Sequence, residues 1–178
     1  MKKDFEKILF TSREIQEKIS ELGEKITKDY KHGKPVIIGI LKGAFIFMAD
    51  LVRAIELPVE IDFFAVSSYG MQAQSSGVVK IKKDIDADIF GKDVIIVEDI
   101  VDTGLTLNYI KDYIKSHKPK SVKICTFLDK PKAHKTEIQI DYLGFEIENH
   151  FVVGYGLDYA EKYRNLPYIA ILKKEIYS

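Results

Sequence analysis

The sequence predicts an α/β protein with a central, mostly parallel sheet flanked by helices. Two observations carry this prediction. Short apolar runs, such as residues 36–41 and 94–97, are typical of strands that are buried on both faces. The segments between such runs include stretches of crossover length with apolar residues at three- and four-residue steps, which indicate amphipathic helices. The predicted order from residue 36 is strand, helix, strand, strand, strand, helix, strand.

The first predicted element is a helix over residues 11–30. Thr11 and Glu14 have the spacing of a capping box, in which each residue bonds the backbone amide of the other. Gly33 and Pro35 end the helix, because neither residue continues it. Its apolar stripe consists of Ile15, Ile19, Leu22, Ile26 and Tyr30.

A strand over residues 36–41 is followed by Lys42-Gly43 and by a second helix over residues 44–55. A further strand covers residues 59–66. Residues 67–77 are small, polar and rich in glycine, without any periodicity, which is typical of a functional or a disordered loop. The apolar face of the second helix is predicted to consist of Phe45, Met48, Leu51, Val52 and Ile55.

The remaining elements are mostly strands, and the helix after Gly104 is the exception. That helix has an apolar stripe of Leu107, Ile110 and Ile114. The strand at 78–82 carries lysine at alternate positions and should be at least half exposed. The other predicted strands cover residues 94–97, 122–128, 140–145, 151–153 and 168–172.

Composition excludes several classes of function. The 178 residues include 27 basic and 27 acidic ones, so no overall field attracts the chain to nucleic acid. No apolar run reaches the ~18 residues of a membrane span, and nothing resembles a signal peptide, so we expect a cytoplasmic protein. Cys125, the single cysteine, lies in a strand and is predicted to be a buried apolar residue. The four histidines have no metal-ligand spacing and are predicted to lie on the surface.

The most informative segment is 94–107, where a buried strand ends in Glu98 and Asp99. A turn that contains Asp102, Thr103 and Gly104 then enters a helix. The first amides of a helix have no partner within it, so together with threonine hydroxyls they can hold a phosphate. The adjacent carboxylates can accept hydrogen bonds from a ribose diol or bind Mg²⁺. The pattern therefore predicts a ribose 5-phosphate site.

An alternative from the residues alone is a capped helix, in which Asp102 or Thr103 only satisfies the N-terminal amides. The segment is neither a P-loop, which needs Gly-x-x-x-x-Gly-Lys, nor the Gly-x-Gly-x-x-Gly motif of a dinucleotide site.

The segment Val-Ile-Ile-Val-Glu-Asp-Ile-Val-Asp-Thr-Gly-Leu-Thr resembles the phosphoribosyl-pyrophosphate signature of the type I phosphoribosyltransferases. The resemblance implies that Glu98 and Asp99 bind the ribose hydroxyls and that residues 102–106 surround the 5-phosphate. Leu105 stands where some relatives have a lysine. The implied 5-phosphate residues are Thr103, Gly104, Leu105 and Thr106.

Four more segments, in the family's order, narrow the resemblance to the hypoxanthine-guanine branch. Residues 39–44 resemble the pyrophosphate loop, which implies contacts from Leu41, Lys42 and Gly43, often with a cis peptide before the lysine. Residues 67–70 resemble the start of a mobile catalytic loop, with Ser68 and Tyr69 as its ordered contacts. Residues 128–130 and 151–164 resemble the base-binding elements.

The resemblance assigns further roles by position. Asp102 would be the catalytic general base and Arg164 would contact pyrophosphate. Asp158 would help to hold Mg²⁺, together with Glu98 and Asp99. The residues around the base would be Ile100, Lys130, Phe151, Val152 and Asp158.

Chemistry supports the implied choice of base. The ammonium of Lys130 only donates hydrogen bonds, so it suits the 6-oxo group of a purine and opposes the amino group of adenine. Without the resemblance, the residues alone favour a solvated loop lysine for Lys130 and a core residue for Phe151, and Asp158 and Arg164 could form an ordinary surface pair.

The resemblance as a whole implies a purine-salvage enzyme. Such an enzyme transfers the phosphoribosyl group from phosphoribosyl pyrophosphate to hypoxanthine or guanine, with Mg²⁺, and is a homodimer or homotetramer. The implied fold is one domain over residues 1–178, with a core at about 33–135 and a small base-binding hood formed by the N-terminal segment and residues 140–178. The alternatives are transfer to another base such as xanthine or a pyrimidine, a regulatory protein that binds the phosphoribosyl substrate and nucleic acid without turnover, and a metabolite-binding domain with an inactive site.

Overall fold

A computed structural model describes residues 2–68 and 79–178. Its larger sheet confirms the predicted α/β class. The sheet has six strands in the order β4-β3-β2-β5-β6-β7, and every neighbouring pair is parallel except β3 and β4. The strands are β2 (Val36–Leu41), β3 (Glu60–Ser68), β4 (Val79–Lys83), β5 (Asp93–Val101), β6 (Ser121–Asp129) and β7 (Tyr142–Glu146).

Three helices flank this sheet. Helix α1 (Ser12–Asp29) begins after Thr11, whose side chain and that of Glu14 form the predicted capping box. Helix α2 (Phe45–Ala54) lies within one residue of its predicted bounds, and α3 (Leu105–Ser116) buries the predicted stripe of Leu107, Ile110 and Ile114. Two clusters of buried apolar residues flank the sheet. One includes residues of α1 and α2, and the other includes residues of α3.

A second, smaller sheet pairs distant parts of the chain. Strand β1 (Phe5–Phe10) is antiparallel to β9 (Ile169–Leu172), which is antiparallel to β8 (Val152–Val153). A short helix α4 (Lys174–Tyr177) and the 3-10 helices Lys2–Asp4 and Pro131–Ala133 complete the described elements. Strand β1 was not predicted, because its partner lies some 160 residues away and its charged residues hide the strand pattern.

Three expectations need correction. Met48, Leu51 and Ile55 are buried as predicted, but Phe45 is 44% exposed, and Phe47 takes its place in the core. Residues 142–146, expected in the hood, extend the larger sheet beside β6. Ser67 and Ser68, expected in a loop, belong to β3. The remainder of that expected loop, with Tyr69, lies outside the described residues.

The core confirms the prediction for the single cysteine. Cys125 is fully buried in β6, and burial raises the pKa of its thiol far above the ordinary value, so it is a poor nucleophile. No helix among residues 2–68 and 79–178 is both long and apolar enough to cross a membrane.

Candidate active site

The predicted site residues cluster beyond the carboxyl ends of the parallel strands, where ligands bind in open α/β sheets. Strand β5 runs through Glu98 and Asp99 as far as Val101, four residues further than the apolar run alone indicated. Successive side chains of a strand point to opposite faces, and the two carboxylates follow this rule. Glu98 lines a cavity, whereas Asp99 lies against Gly43.

The first cavity has a volume of about 180 Å³. It lies above the end of β5 and the start of α3, and it contains most residues expected to bind ribose 5-phosphate. Leu105 is not among them, and its side chain is 41% exposed. The residues that line this cavity include Glu98, Ile100, Asp102, Thr103, Gly104 and Thr106.

The start of α3 has the geometry of an anion site. Gly104 precedes the helix with φ of 78°, a left-handed conformation that favours glycine, and it provides no side-chain cap. Among the described residues, neither Asp102 nor Thr103 bonds an N-terminal amide of this helix through its side chain. The capped-helix alternative is therefore not observed, and the first amides are available to a bound phosphate.

The second cavity, of about 190 Å³, adjoins the first. It is lined by the residues expected around the base, and by Leu157, which the sequence did not single out. Ile100 and Asp102 line both cavities, so the two cavities meet at these residues. The lining residues are Ile100, Asp102, Lys130, Phe151, Val152, Leu157 and Asp158.

Lys130 is the buried cation of the second cavity. The residue is only 8% exposed, which excludes a solvated loop lysine. Its backbone amide donates to the carbonyl of Val101 at 2.9 Å, and its Nζ lies 3.5 Å from Oδ2 of Asp102. The Lys130 ammonium therefore stands beside the carboxylate that connects the two cavities.

Phe151 contributes both to the core and to the lining of the second cavity. Its ring stacks on Tyr177 with centroids 4.6 Å apart, and the edge of Tyr159 packs against it at 5.6 Å. The same ring lines the second cavity. Packing in the core and stacking on a bound base are therefore compatible roles for Phe151.

The segment after β2 lies between two other parts of the site. The Leu41–Lys42 peptide bond is cis. A Cβ added to Gly43 would lie 1.6 Å from Oδ2 of Asp99, and a Cβ added to Gly156 would lie 2.1 Å from the Gly43 carbonyl oxygen. Only glycine at residue 43 therefore permits the backbone to lie this close to the Asp99 carboxylate.

Arg164 and Lys42 share acidic partners near Gly43. The Arg164 guanidinium lies 2.8 Å from Asp158 and donates to the carbonyl of Gly156 at 2.8 Å. Glu161, which sequence reasoning missed, lies 3.1 Å from Lys42 and 3.6 Å from Arg164. The Asp158–Arg164 pair exists, but it is largely buried at a cavity wall and is not an ordinary surface pair.

Sequence reasoning also missed His134. This histidine was expected on the surface, but its side chain is 19% exposed and its Nε2 lies 2.7 Å from Oδ1 of Asp129. The signal was present in the five-residue spacing from Asp129, which a tight turn such as Pro131–Ala133 brings into contact.

Burial raises the pKa of Glu98 well above its usual range, and the neighbouring charge of Asp99 raises it further. The pKa of Asp99 is also raised, chiefly by burial, although hydrogen bonds from the Ile100 amide and the charge of Arg164 oppose the shift. A carboxyl whose pKa is raised on folding lowers the free energy of unfolding as pH rises from the unfolded pKa, about 4.3 for Glu, through the folded pKa. The ligand-free site is therefore destabilising near neutral pH.

Glu98→Gln is expected to stabilise the ligand-free chain at pH 7, because it removes the cost of ionising a partly buried carboxyl group beside Asp99. A gain of about 1 kcal/mol corresponds to a Tm rise of roughly 2–4 °C for a chain of this size. The same change should weaken binding of a phosphorylated ribose in the first cavity about tenfold or more, because an ionised hydrogen-bond acceptor is lost. Thermal unfolding and calorimetric titration measure the two effects.

Glu17→Gln, on the exposed face of α1, serves as the control and should leave both quantities unchanged. A Tm of the Glu98→Gln protein below that of the parent at pH 7 would contradict the electrostatic argument.

Comparisons with known proteins agree with this geometry. Residues 7–160 match the family model described as the phosphoribosyl transferase domain. A hypoxanthine-guanine phosphoribosyltransferase of Bacillus subtilis is 53% identical over 177 residues, which cover 99% of this chain and 98% of the relative. The crystal structure of a hypoxanthine phosphoribosyltransferase from Staphylococcus aureus superposes with a TM-score of 0.96 at 48% identity, covering 100% of this chain and 97% of that one.

A bifunctional protein TilS/HprT of Listeria monocytogenes is 54% identical over 178 residues, which cover 100% of this chain but only 28% of the relative. The chain thus spans little more than a quarter of the length of that relative. The expected phosphoribosyltransferase fold class is confirmed, and the chain belongs to the phosphoribosyltransferase domain family, in its hypoxanthine-guanine branch.

Proposed function

We propose that the chain transfers the 5-phosphoribosyl group from phosphoribosyl pyrophosphate to N9 of hypoxanthine or guanine, giving IMP or GMP and pyrophosphate. The observation that carries this proposal is the pair of adjoining cavities that share Ile100 and Asp102. One cavity has an anion site beside a carboxylate, and the other has a buried cation beside an aromatic ring. A ribose 5-phosphate in the first cavity and a purine in the second would meet at this junction.

The first cavity suits ribose 5-phosphate. The free amides at the start of α3 and the hydroxyls of Thr103 and Thr106 would hold the phosphate. Glu98 would accept hydrogen bonds from the ribose hydroxyls, which relieves the cost of its burial. Asp99 would take part from the other face of β5, beside Gly43, and Leu105 would contribute only its backbone amide.

The second cavity suits a 6-oxopurine. Lys130 would donate to the 6-oxo group, whereas an amino group at that position would present a second donor. The exposed part of the Phe151 ring would stack on the base, a contact typically worth about 1–3 kcal/mol. Val152 and Asp158 would border the base edge, and Ile100 would cover the opposite face of the base.

The reaction breaks the bond from ribose C1 to pyrophosphate and forms a bond from C1 to purine N9. As N9 attacks, the proton on N7 must leave, and the Asp102 carboxylate at the junction of the cavities would accept it. Lys130 at 3.5 Å would keep this carboxylate oriented. By the family resemblance, Ser68, at the end of β3, and Tyr69, which lies outside the described residues, would help to close the site against water.

The leaving pyrophosphate gathers negative charge. Lys42, the amide of Gly43 next to the Leu41–Lys42 peptide, and Arg164 would stabilise that charge. Pyrophosphate would then replace Glu161 as the partner of both cations, since Glu161 is exposed and its present contacts are weak.

Mg²⁺ fits the donor set of this site only if the substrate supplies further ligands. Among the described residues, no three His, Cys, Asp or Glu side chains are placed to hold a metal. However, Mg²⁺ in phosphate-handling sites binds through one or two carboxylates and through substrate phosphates. Glu98 and Asp99 are hard oxygen donors whose raised pKa a nearby cation would lower. When bound, the ion would neutralise charge on the pyrophosphate.

The fit to Mg²⁺ is weaker for Asp158. Its Oδ1 already bonds Arg164 and its Oδ2 accepts from the Glu161 amide. Asp158 would reach an ion on the pyrophosphate side only after Arg164 turns to the substrate.

A homodimer or homotetramer in the cytoplasm is part of the proposal. Phe45 on α2 and Ile61 on β3 are 44% and 51% exposed, and such apolar side chains favour an interface along these elements.

Pyrophosphate release with phosphoribosyl pyrophosphate, Mg²⁺ and a panel of hypoxanthine, guanine, xanthine, adenine and uracil tests the function. We expect turnover with hypoxanthine or guanine and at least about a hundredfold lower kcat/KM with adenine, because the Lys130 ammonium opposes a donor at position 6. Preference for xanthine or uracil would support transfer to another base. Binding without turnover of any base would favour a regulatory or an inactive protein.

A further inference from the structure

Lys130 belongs to a turn that His134 closes. Strand β6 ends at Asp129, and the 3-10 helix Pro131–Ala133 reverses the chain so that the His134 ring returns to the Asp129 carboxylate. The Nε2–Oδ1 distance is 2.7 Å. A carboxylate only accepts hydrogen bonds, so the histidine nitrogen carries the proton.

The Asp129 end of this contact is deeply buried. Asp129 is 4% exposed, and its backbone is fixed on both sides of the sheet by pairing with Val101 and Glu146. Among the described residues, His134 is the hydrogen-bond partner of the Asp129 side chain. Without a donor, a buried carboxylate is costly, and the turn around it would rearrange to reach water.

The turn also determines where the Lys130 ammonium points. The Lys130 amide donates to Val101, and its carbonyl accepts from the Ala133 amide at 2.9 Å. The Lys130 side chain is 10% exposed and enters the base cavity beside Asp102. A shift of the turn therefore moves the ammonium relative to Asp102 and to the base.

The same segment is attached to the 5-phosphate side by different groups. The Lys135 amide donates to the carbonyl of Thr103 at 3.0 Å, and the Asn108 side chain donates to Thr136 and to the carbonyl of Glu137. These bonds lie after His134 and do not depend on its ring. A change at His134 should consequently affect the base cavity and leave the phosphate cavity in place.

We propose that His134 is a positioning residue for base recognition, acting through the hydrogen bond of its ring to Asp129, which holds the turn that aims Lys130 into the base cavity. The proposal rests on the proposed function, because its readout is the use of a 6-oxopurine.

The test compares four variants under steady-state conditions. His134→Ala removes the donor, and His134→Asn shortens it beyond reach of Asp129. His134→Gln keeps an N–H at about the distance of Nε2. His117→Ala, at the end of α3 and outside both cavities, is the control.

We expect His134→Ala and His134→Asn to raise the KM for hypoxanthine about tenfold, with the KM for phosphoribosyl pyrophosphate changed less than about twofold. His134→Gln should restore most of the base affinity, and His117→Ala should behave as the parent. If the His134→Ala protein does not fold, the comparison of His134→Asn with His134→Gln decides the test.

Equal KM values for hypoxanthine in the asparagine and glutamine variants would overturn the proposal. So would a parallel rise in both substrate KM values, which would indicate a structural role alone. A parent chain without turnover on any base would instead reject the proposed function, and with it the role given to Lys130.

Discussion

Asp102→Asn is expected to lower kcat by about 10²–10⁴-fold, the range of general base catalysis, with little change in the KM for hypoxanthine. Asparagine keeps the shape of the side chain but cannot take up the N7 proton. Asp102 is 55% exposed on its side chain, so the free energy of unfolding should change by less than about 0.5 kcal/mol. Its contact with Lys130 at 3.5 Å is partly exposed and weak.

Asp112→Asn, on the exposed side of α3, is the matched control and should retain full turnover. Steady-state kinetics and thermal unfolding of both variants check the prediction. Unchanged kcat in the Asp102→Asn protein would remove Asp102 as the base and leave it as a wall shared by the two cavities.

Lys130→Ala is expected to reduce kcat/KM for hypoxanthine about 10–100-fold, because a hydrogen bond from a charged donor contributes about 1.5–3 kcal/mol. The KM for phosphoribosyl pyrophosphate should change by less than about threefold, since Lys130 does not line the first cavity. Discrimination against adenine should fall as well, because the opposing ammonium is absent.

Lys132→Ala is the matched control, since this lysine lies in the same turn and is exposed. Equal losses for the base and for phosphoribosyl pyrophosphate would contradict a role in base recognition. A Lys130→Ala protein that discriminates against adenine as strongly as the parent would do the same.

The phosphoribosyl half of the site could be predicted from the sequence because its residues are contiguous. Glu98, Asp102 and Thr106 lie within nine positions, and the apolar run before them identifies the strand that carries them. Local pattern therefore determines local geometry. The side on which Asp99 lies followed from strand alternation, but its contact with Gly43 did not, since Gly43 belongs to another strand end.

The base half depends on contacts that no local pattern encodes. Lys130 before Pro131 resembles any loop lysine, and its burial results from packing of β5, β6 and the 151–158 segment around it. Phe151 enters the cavity because β8 pairs with β9, which in turn pairs with β1. Without the family resemblance, neither role could be assigned from the residues alone.

The structure of the chain with bound IMP tests the central claim most directly, namely that the two adjoining cavities divide one nucleotide between them. We expect the 5-phosphate on the amides of residues 103–106, the ribose hydroxyls within hydrogen-bond distance of Glu98, and the purine 6-oxo group within about 3.2 Å of the Lys130 Nζ. A phosphate bound away from the start of α3, or a base whose 6-oxo group points away from Lys130, would contradict the account.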